Sequence, residues 1–389
     1  MKILFVVQGQ GRGHVTQAIA LHRILCDAGH EIVEVLVGGA ASGPLPSFVS
    51  DAFGTTPILR YESPALIMDG QSRAIDWFET LRSSGRLATR YVESIERIAV
   101  AIERTAPDVI VNFFEPLVGL LHMRRGVTVP TVAIAHQHMF FHPRYPFPAS
   151  ARIERRAMTW FTSVCSFGAS RRLGLSLYPA EDVPRRRLGV VPPLLRSNVL
   201  SSRSTPGPHY LVYLWRPELL NEIEDMSRRR PDLQMYCFTD VSQEFADCRS
   251  NGSNLIVHPL SQTRFVEVMA GSAGVASTAG FESTSEAMYL GKPLLMVPTH
   301  LEQRCNALDA VLIGAGTRSR KFDLARLDAF ASNYRFDTLA FRDWVDGGPE
   351  MFVREIEQAA DRVVEGVHFP VSQARRRKTG SALRIELGI

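Results

Sequence analysis

Short apolar runs bounded by glycine, proline or polar residues recur along this chain. Between them lie segments whose apolar residues return every three to four positions. The first unit predicts a buried strand over 2–7 and a loop Gln8-Gly9-Gln10-Gly11-Arg12-Gly13-His14. A helix over 15–28 follows, with Ile19, Ile24 and Leu25 on its apolar face and Gly29 as its stop, and then a strand over 32–37. Strand, glycine loop, helix and strand in that order make a doubly wound α/β unit. Residues 40–45 read as a turn. Residues 80–104 read as a long helix through Leu81, Leu87, Val92, Ile95 and Ile98, and buried strands are predicted over 108–112 and 131–135.

Val190-Val191-Pro192-Pro193 reads as a break in regular structure, and 201–208 is polar and rich in proline and glycine. A hinge is therefore expected between 192 and 208. Strands resume over 209–214, 234–238, 255–257 and 274–277. A helix over 282–290 ends at Gly291 and leads to a strand over 293–297; helices are expected over 265–270, 306–312 and 351–364. The pattern thus gives an α/β chain of two doubly wound domains, 1–195 and 205–365, with a basic tail over 366–389.

Composition narrows the classes. The 389 residues are 45% hydrophobic and 22% charged, ordinary values for a globular chain with two cores. No run approaches the ~18 apolar residues of a membrane span. Residues 1–7 are too short an apolar run for a signal peptide. Five scattered cysteines (26, 165, 237, 248, 305) lack metal-site spacing and fit a reducing cytoplasm. The net charge is only +4, yet arginines cluster at 152–156, 171–172, 185–187 and 228–230, with a basic run at 375–378. Each cluster reads first as a solvated face, and together they permit contact with an anionic surface. No nucleic-acid motif accompanies them.

The glycine loop invites a dinucleotide reading, which fails on two counts. The glycines at 9, 11 and 13 miss the G-x-G-x-x-G spacing, and the second strand ends Val37-Gly38-Gly39 with no carboxylate for a ribose. His14 follows that loop at a strand's carboxyl end. Phe113-Phe114-Glu115-Pro116 leaves the end of another strand, and His136-Gln137-His138 a third. Ligands bind at such ends, so His14, Glu115 and His138 are expected in one cleft. Glu115 also reads as a carboxylate favoured at a helix N-terminus.

In the second half, Thr278-Ala279-Gly280-Phe281-Glu282-Ser283-Thr284-Ser285-Glu286 opens a helix. Free N–H groups and the positive dipole end suit a phosphate there, with Ser283 and Thr284 adding hydroxyls and Glu286 set one turn on for a ribose diol. The competing reading is a capping box, with Ser283 as N-cap and Glu286 as its partner.

This stretch resembles the nucleotide-sugar signature of GT-B glycosyltransferases. Gly280, Phe281, Glu282, Ser283, Thr284 and Glu286 stand in its order, and Glu302-Gln303 resembles its later acidic-Gln pair. Thr278 stands where the plant-type signature carries a His. Gly11-Arg12-Gly13-His14 with Gln17-Ala18 resembles the N-terminal loop of the same enzymes. The Phe-Glu-Pro and Gln-His pair resemble a prokaryotic branch related to the peptidoglycan N-acetylglucosaminyltransferase. The resemblance implies two Rossmann-like domains facing across a cleft, with the acceptor in the first and the nucleotide sugar in the second.

It further implies that Ser283 and Thr284 hold the diphosphate, Glu286 the ribose, and Glu302 and Gln303 the donor sugar. Gly11, Arg12, Gly13, Arg216, Leu260, Gly280, Phe281 and Glu282 complete the nucleotide-sugar side. His136 and His138 lie toward the acceptor, and His14 and Glu115 are the catalytic candidates. Of the three possible bases His14, Glu115 and His138, His14 is favoured as an imidazole kept neutral beside a positive helix start, with Glu115 as its orienting partner or itself the base. The implied reaction is inverting transfer from a UDP-sugar to an acceptor hydroxyl, the acceptor being lipid-linked at an anionic cytoplasmic membrane face or a small natural product. A nucleotide-sugar 2-epimerase or hydrolase, and a non-catalytic binding protein, are the alternatives. No two aspartates stand two positions apart, so no Asp-x-Asp metal pair exists and no cofactor is expected.

Overall fold

The computed structural model of the chain describes residues 1–10, 12–39, 47–64, 82, 85–250, 252 and 254–361. The expected turn at 40–45, Gly11, the start of the long helix, residues 362–364 and the basic tail lie outside them. Thirteen strands are described: β1 (Lys2–Gln8), β2 (Glu31–Gly39), β3 (Ile58–Glu62), β4 (Val109–Phe113), β5 (Thr131–Ala135), β6 (Arg171–Leu175), β7 (Leu188–Val191), β8 (His209–Tyr213), β9 (Gln234–Thr239), β10 (Leu255–Pro259), β11 (Gly274–Ser277), β12 (Leu294–Met296) and β13 (Gly316–Arg318).

They form two parallel sheets, ordered β3-β2-β1-β4-β5-β6-β7 and β10-β9-β8-β11-β12-β13. Both are flanked by helices, the doubly wound architecture that the apolar pattern predicted. Strand order reverses between β1 and β4 in the first sheet and between β8 and β11 in the second. The crevice beyond the carboxyl ends at such a reversal is where α/β sheets bind ligands. The central strands are apolar almost throughout, as burial on both faces requires: Ile3, Leu4, Phe5, Val6, Val109, Ile110, Val111, Val132, Ala133 and Ile134 are wholly inaccessible.

Two boundaries differ from expectation. Val190 and Val191 do not break structure but finish β7, pairing with Gly174 and Leu175 of β6. The helix Gly348–Asp361 falls within the bounds 205–365 of the second domain but packs on the helix Gly13–Asp27 and on β4, β5 and β7 of the first, the crossing back that the resemblance leads one to expect of the last helices. Glu355 on it takes Arg171 at 2.6 Å, both side chains largely buried. The chain therefore crosses the cleft twice, once through the linker after β7 and once to reach this helix.

Candidate active site

Two backbone turns aim the site. Phe114 (φ 58°) follows β4 and Ala279 (φ 64°) follows β11, both in the left-handed region that residues with a Cβ avoid. Each conformation costs on the order of 1–2 kcal/mol, which the surrounding packing holds in place. Ala279 is fully buried, and its carbonyl accepts from the Asn306 side chain at 3.1 Å. The chain then enters the helix Phe281–Tyr289 with Gly280 as N-cap. Ser283 donates its hydroxyl back to the Gly280 carbonyl at 3.2 Å, so the capping box does not form and the first-turn N–H groups stay available.

That helix start opens on a cavity of about 150 Å3. Gly280, Glu282, Ser283, Glu286, Gln303 and Leu260 line it from the second domain, and Arg12 and Gly13 from the first. Tyr213 and Phe265 add an apolar wall suited to a planar base. Glu286 faces this cavity, but both its oxygens are held by Arg196 of the linker at 2.6 Å. Gln303 accepts from the backbone N–H and hydroxyl of Thr299 and donates to Thr278. Thr278, where the plant-type signature has a His, lines the cavity as well.

A second cavity, about 240 Å3, adjoins the first at Gly13, Trp215 and Glu282. A Cβ on residue 13 would lie 2.8 Å from the Glu282 carboxylate, so this close approach of the two domains requires glycine. Glu282 accepts from Gln17 at 2.5 Å across the cleft. His14 lines the second cavity, stacked on Phe114 with ring centroids 5.3 Å apart and its Nδ1 3.4 Å from Gln17. Burial lowers its pKa to about 4, outweighing the opposing pull of Glu302, so the imidazole is neutral at pH 7. Phe114, Met158, Phe161 and Trp215 make the wall apolar.

His136 and Glu302 form the far side. The His136 ring stacks on Phe281 at 4.6 Å, and its Nε2 is 3.3 Å from Glu302, which also accepts from Gln137. Burial opposes ionisation of Glu302, but His136, with His300 and His14 near it, outweighs this and holds the carboxyl at about 2.

Several expected residues sit elsewhere. Glu115 is fully buried and lines neither cavity. It is the N-cap of the helix Pro116–Arg125, accepting from the Leu117 N–H at 3.1 Å and from Ser63 at 2.7 and 2.9 Å. Burial raises its pKa to about 7. A Cβ on Gly38 would meet this carboxylate at 2.2 Å, which accounts for a glycine at the end of β2. The dipole-favoured N-terminal carboxylate is thus the geometry found.

His138 is likewise enclosed, its Nδ1 donating to the Leu173 carbonyl and its ring between Phe114 and Phe141. Arg216 turns to Glu218 and over the Trp215 ring, and Trp215 lines the cavities in its place. Thr284 is wholly buried behind Ser283 and lines neither cavity, while Phe281 serves the His136 stack.

Sequence reasoning missed Arg196, Gln17 as a partner of Glu282, and His300; it expects the loop Trp215-Arg216-Pro217 over the diphosphate, and of that loop Trp215 lines both cavities. Arg196 follows the prolines that marked the hinge, and a cation beside a linker facing a motif carboxylate was its available signal.

A family model described as glycosyl transferase family 1 matches residues 1–334. Solved structures share the fold. The glycosyltransferase of kitacinnamycin superposes with a TM-score of 0.57 at 17% identity, covering 94% of this chain and 98% of its own. Phytolacca americana UGT2, complexed with UDP-2-fluoro-glucose and pterostilbene, gives 0.59 at 13% identity, covering 94% and 99%. The calicheamicin glycosyltransferase CalG4 gives 0.59 at 16% identity, covering 93% and 98%. No curated protein sequence matches.

Proposed function

The chain belongs to glycosyl transferase family 1 and is a GT-B glycosyltransferase; from that premise we propose that it moves a sugar from a UDP-sugar to an acceptor hydroxyl, inverting the anomeric centre without a metal. The observation that carries the reading is the junction at Gly13, Trp215 and Glu282, where a phosphate-ready helix start meets the cavity of a neutral histidine.

In this reading the diphosphate lies on the first-turn N–H groups of the helix Phe281–Tyr289 and the Ser283 hydroxyl. Those donors stabilise the charge that develops on the leaving diphosphate. Tyr213, Phe265 and Leu260 take the base, and Glu286, oriented by Arg196, takes the ribose diol. The sugar spans the junction toward Gln303 and Glu302. His14 accepts the acceptor proton as the hydroxyl attacks the anomeric carbon from the opposite face, and UDP departs. No Asp-x-Asp pair is present to carry a divalent cation, which supports metal independence.

The apolar wall of Phe114, Met158 and Phe161 suits an acceptor with an aromatic or alicyclic body. A lipid-linked acceptor at an anionic membrane face is the second reading. It is supported by Ile153 (84% exposed) and Trp160 (66% exposed) on the same helix as Arg152, Arg155 and Arg156. The test is thermal shift with a panel of nucleotides and nucleotide sugars, followed by mass spectrometry of products with phenolic and lipid-linked acceptors. Stabilisation by UDP and UDP-sugars, with a mass gain of one sugar on an acceptor, is the expected result. UDP-sugar loss with no acceptor product would favour a hydrolase or epimerase.

A further inference from the structure

The two elements that wall the His14 cavity carry a larger one on their other side. The helix Arg152–Cys165 turns Met158 and Phe161 toward His14. Its adjoining face turns Arg152, Arg155, Arg156 and Thr159 toward a cavity of about 650 Å3. The 3-10 turn His136–Phe141 divides in the same way, giving His136 and Gln137 to one side and Phe140 and Phe141 to the other. Arg186, from the 3-10 turn Pro184–Arg186, faces the cavity from across it.

Four guanidiniums therefore share one cavity, and arginine keeps its charge at any physiological pH. Among the described residues none of the four has a carboxylate within ion-pair distance, although the chain pairs Arg171, Arg196, Arg230 and Arg249 elsewhere. The nearby carboxylates are engaged: Glu154 with Arg304 at 3.4 Å, Glu181 with Arg144 at 3.4 Å, and Asp182 with Arg171 at 2.5 Å. His142 on the same rim holds the Arg144 N–H and the Glu181 carbonyl and brings no negative charge. Arg155 lies 4.0 Å over the Phe147 ring, which fixes its guanidinium in place. Like charges gathered without a counter-charge repel, and the repulsion becomes attraction when an anion enters. Guanidinium forks match phosphate oxygens two at a time.

We propose that this cavity is a binding site for a phosphate monoester or diphosphate group, separate from the donor cavity. The group belongs to a soluble phosphorylated molecule or to a phospholipid headgroup, and the chemistry of recognition is the same for both.

The test uses pyrophosphate in titration calorimetry with UDP saturating, and flotation with phosphatidylcholine vesicles with and without phosphatidic acid. Wild type is compared with the triple variants R152Q/R156Q/R186Q and R152K/R156K/R186K. All three positions are exposed, so melting temperatures no lower than that of wild type are expected, with a rise in the glutamine variant as repulsion is relieved, and they verify the fold. Pyrophosphate should bind wild type one to one and weaken with salt. Its Kd should rise about 10-fold or more in the glutamine variant, with the lysine variant between, because lysine keeps the charge but not the fork. A parallel loss of flotation on phosphatidic acid identifies the headgroup as the source; pyrophosphate binding without flotation identifies a soluble one. Equal affinity in wild type and glutamine variant, or no pyrophosphate binding by wild type, overturns the proposal. The compared proteins share the same donor cavity, so a failure of UDP to bind would sink the donor reading without touching this difference.

Discussion

Both carboxylate oxygens of Glu286 are held by Arg196, at 2.6 Å each, and the arginine comes from the segment that joins the two domains. Two parallel charge-assisted bonds fix the carboxylate's plane and leave two of its lone-pair directions for a ribose diol. The cation that positions this carboxylate thus lies on the segment between the two sheets. Arg196 also donates to Gln262 at 2.8 Å and lies 5.6 Å over Phe265, both on the rim of the same cavity.

Glu286→Ala is therefore expected to act on two quantities. Nucleotide affinity should fall ~10-fold or more with the loss of a charge-assisted hydrogen bond. The ligand-free protein should also lose stability, by about 3–5 kcal/mol if Arg196 stays buried without a partner. Calorimetric titration of UDP and urea denaturation check the two. The Arg196→Met/Glu286→Leu double variant should recover stability but not affinity. Full affinity in Glu286→Ala would remove the ribose from this carboxylate.

His14→Ala should lower kcat by ~100-fold or more, the usual range for loss of a general base, with UDP affinity nearly unchanged. The pKa of about 4 sets the pH dependence. The base is active when neutral, so kcat/KM should be flat on its account from about pH 5 upward and fall below pH 4. Near-normal turnover in His14→Ala would contradict the assignment, and an acid limb near 6.5 that the variant abolishes would keep His14 as the base but contradict its lowered pKa.

Glu115 should behave as a structural group. Its folded pKa of about 7 lies above the ordinary 4.5, so its protonated form is the one the fold favours. That contribution is fully present below pH 4.5 and is lost as pH rises through 7, amounting to about 3 kcal/mol for a 2.5-unit shift. Glu115→Gln should keep turnover and flatten the fall in melting temperature between about pH 4.5 and 7. Abolished turnover in a folded Glu115→Gln protein would return the base to this residue.

The parts of this site that were legible from sequence are those that local pattern determines. Apolar runs marked β1, β4, β5 and β11, and the residues following them carry His14, His136 and the Gly280–Glu286 turn. What escaped depends on partners far along the chain. β6 begins Arg171-Arg172 and reads as a solvated cluster, yet Glu355 and Asp182 neutralise Arg171 and let the strand be buried. β3 is a short edge strand whose apolar residues alternate with Arg60 and Glu62. Glu115 and His14 follow equivalent strands, and only Gly38 and Ser63, brought in by β2 and the end of β3, decide that one carboxylate turns inward.

Activity should survive EDTA. The helix start supplies N–H groups and a positive dipole where metal-dependent enzymes place a cation, and Arg12 stands beside it in the cavity. Initial rates in excess chelator, with and without added magnesium or manganese, are the measurement. Complete loss with EDTA, reversed by the metal, would overturn metal independence.

Glu302 offers the sharpest separation of sugar from nucleotide. Its neighbour Gln303 lines the cavity assigned to the nucleotide, whereas Glu302 lines the one that holds His14. With its carboxyl held at about 2 by His136, it is ionised at any working pH, and its two oxygens face His136 and Gln137 of the opposite domain. A sugar at the junction would meet an acceptor-only group there, able to take hydrogen bonds from its hydroxyls. Glu302→Gln keeps the size but replaces two acceptors with one and removes the charge facing His136. UDP affinity should then stay within about 2-fold, because no contact to the base, ribose or phosphate changes, while affinity for the intact UDP-sugar falls ~10-fold, as expected when hydrogen bonds to a charged group are lost. The sign of the pH effect is opposite to that of Glu115. A depressed carboxylate pKa contributes stability above pH 4.5 that is lost as pH falls toward 2, so the variant should be less stable than wild type at neutral pH and the difference should vanish toward pH 2. Parallel titrations with UDP and UDP-sugar, together with acid denaturation, measure both. Equal weakening of UDP and UDP-sugar would move Glu302 from the sugar to the closure of the two domains.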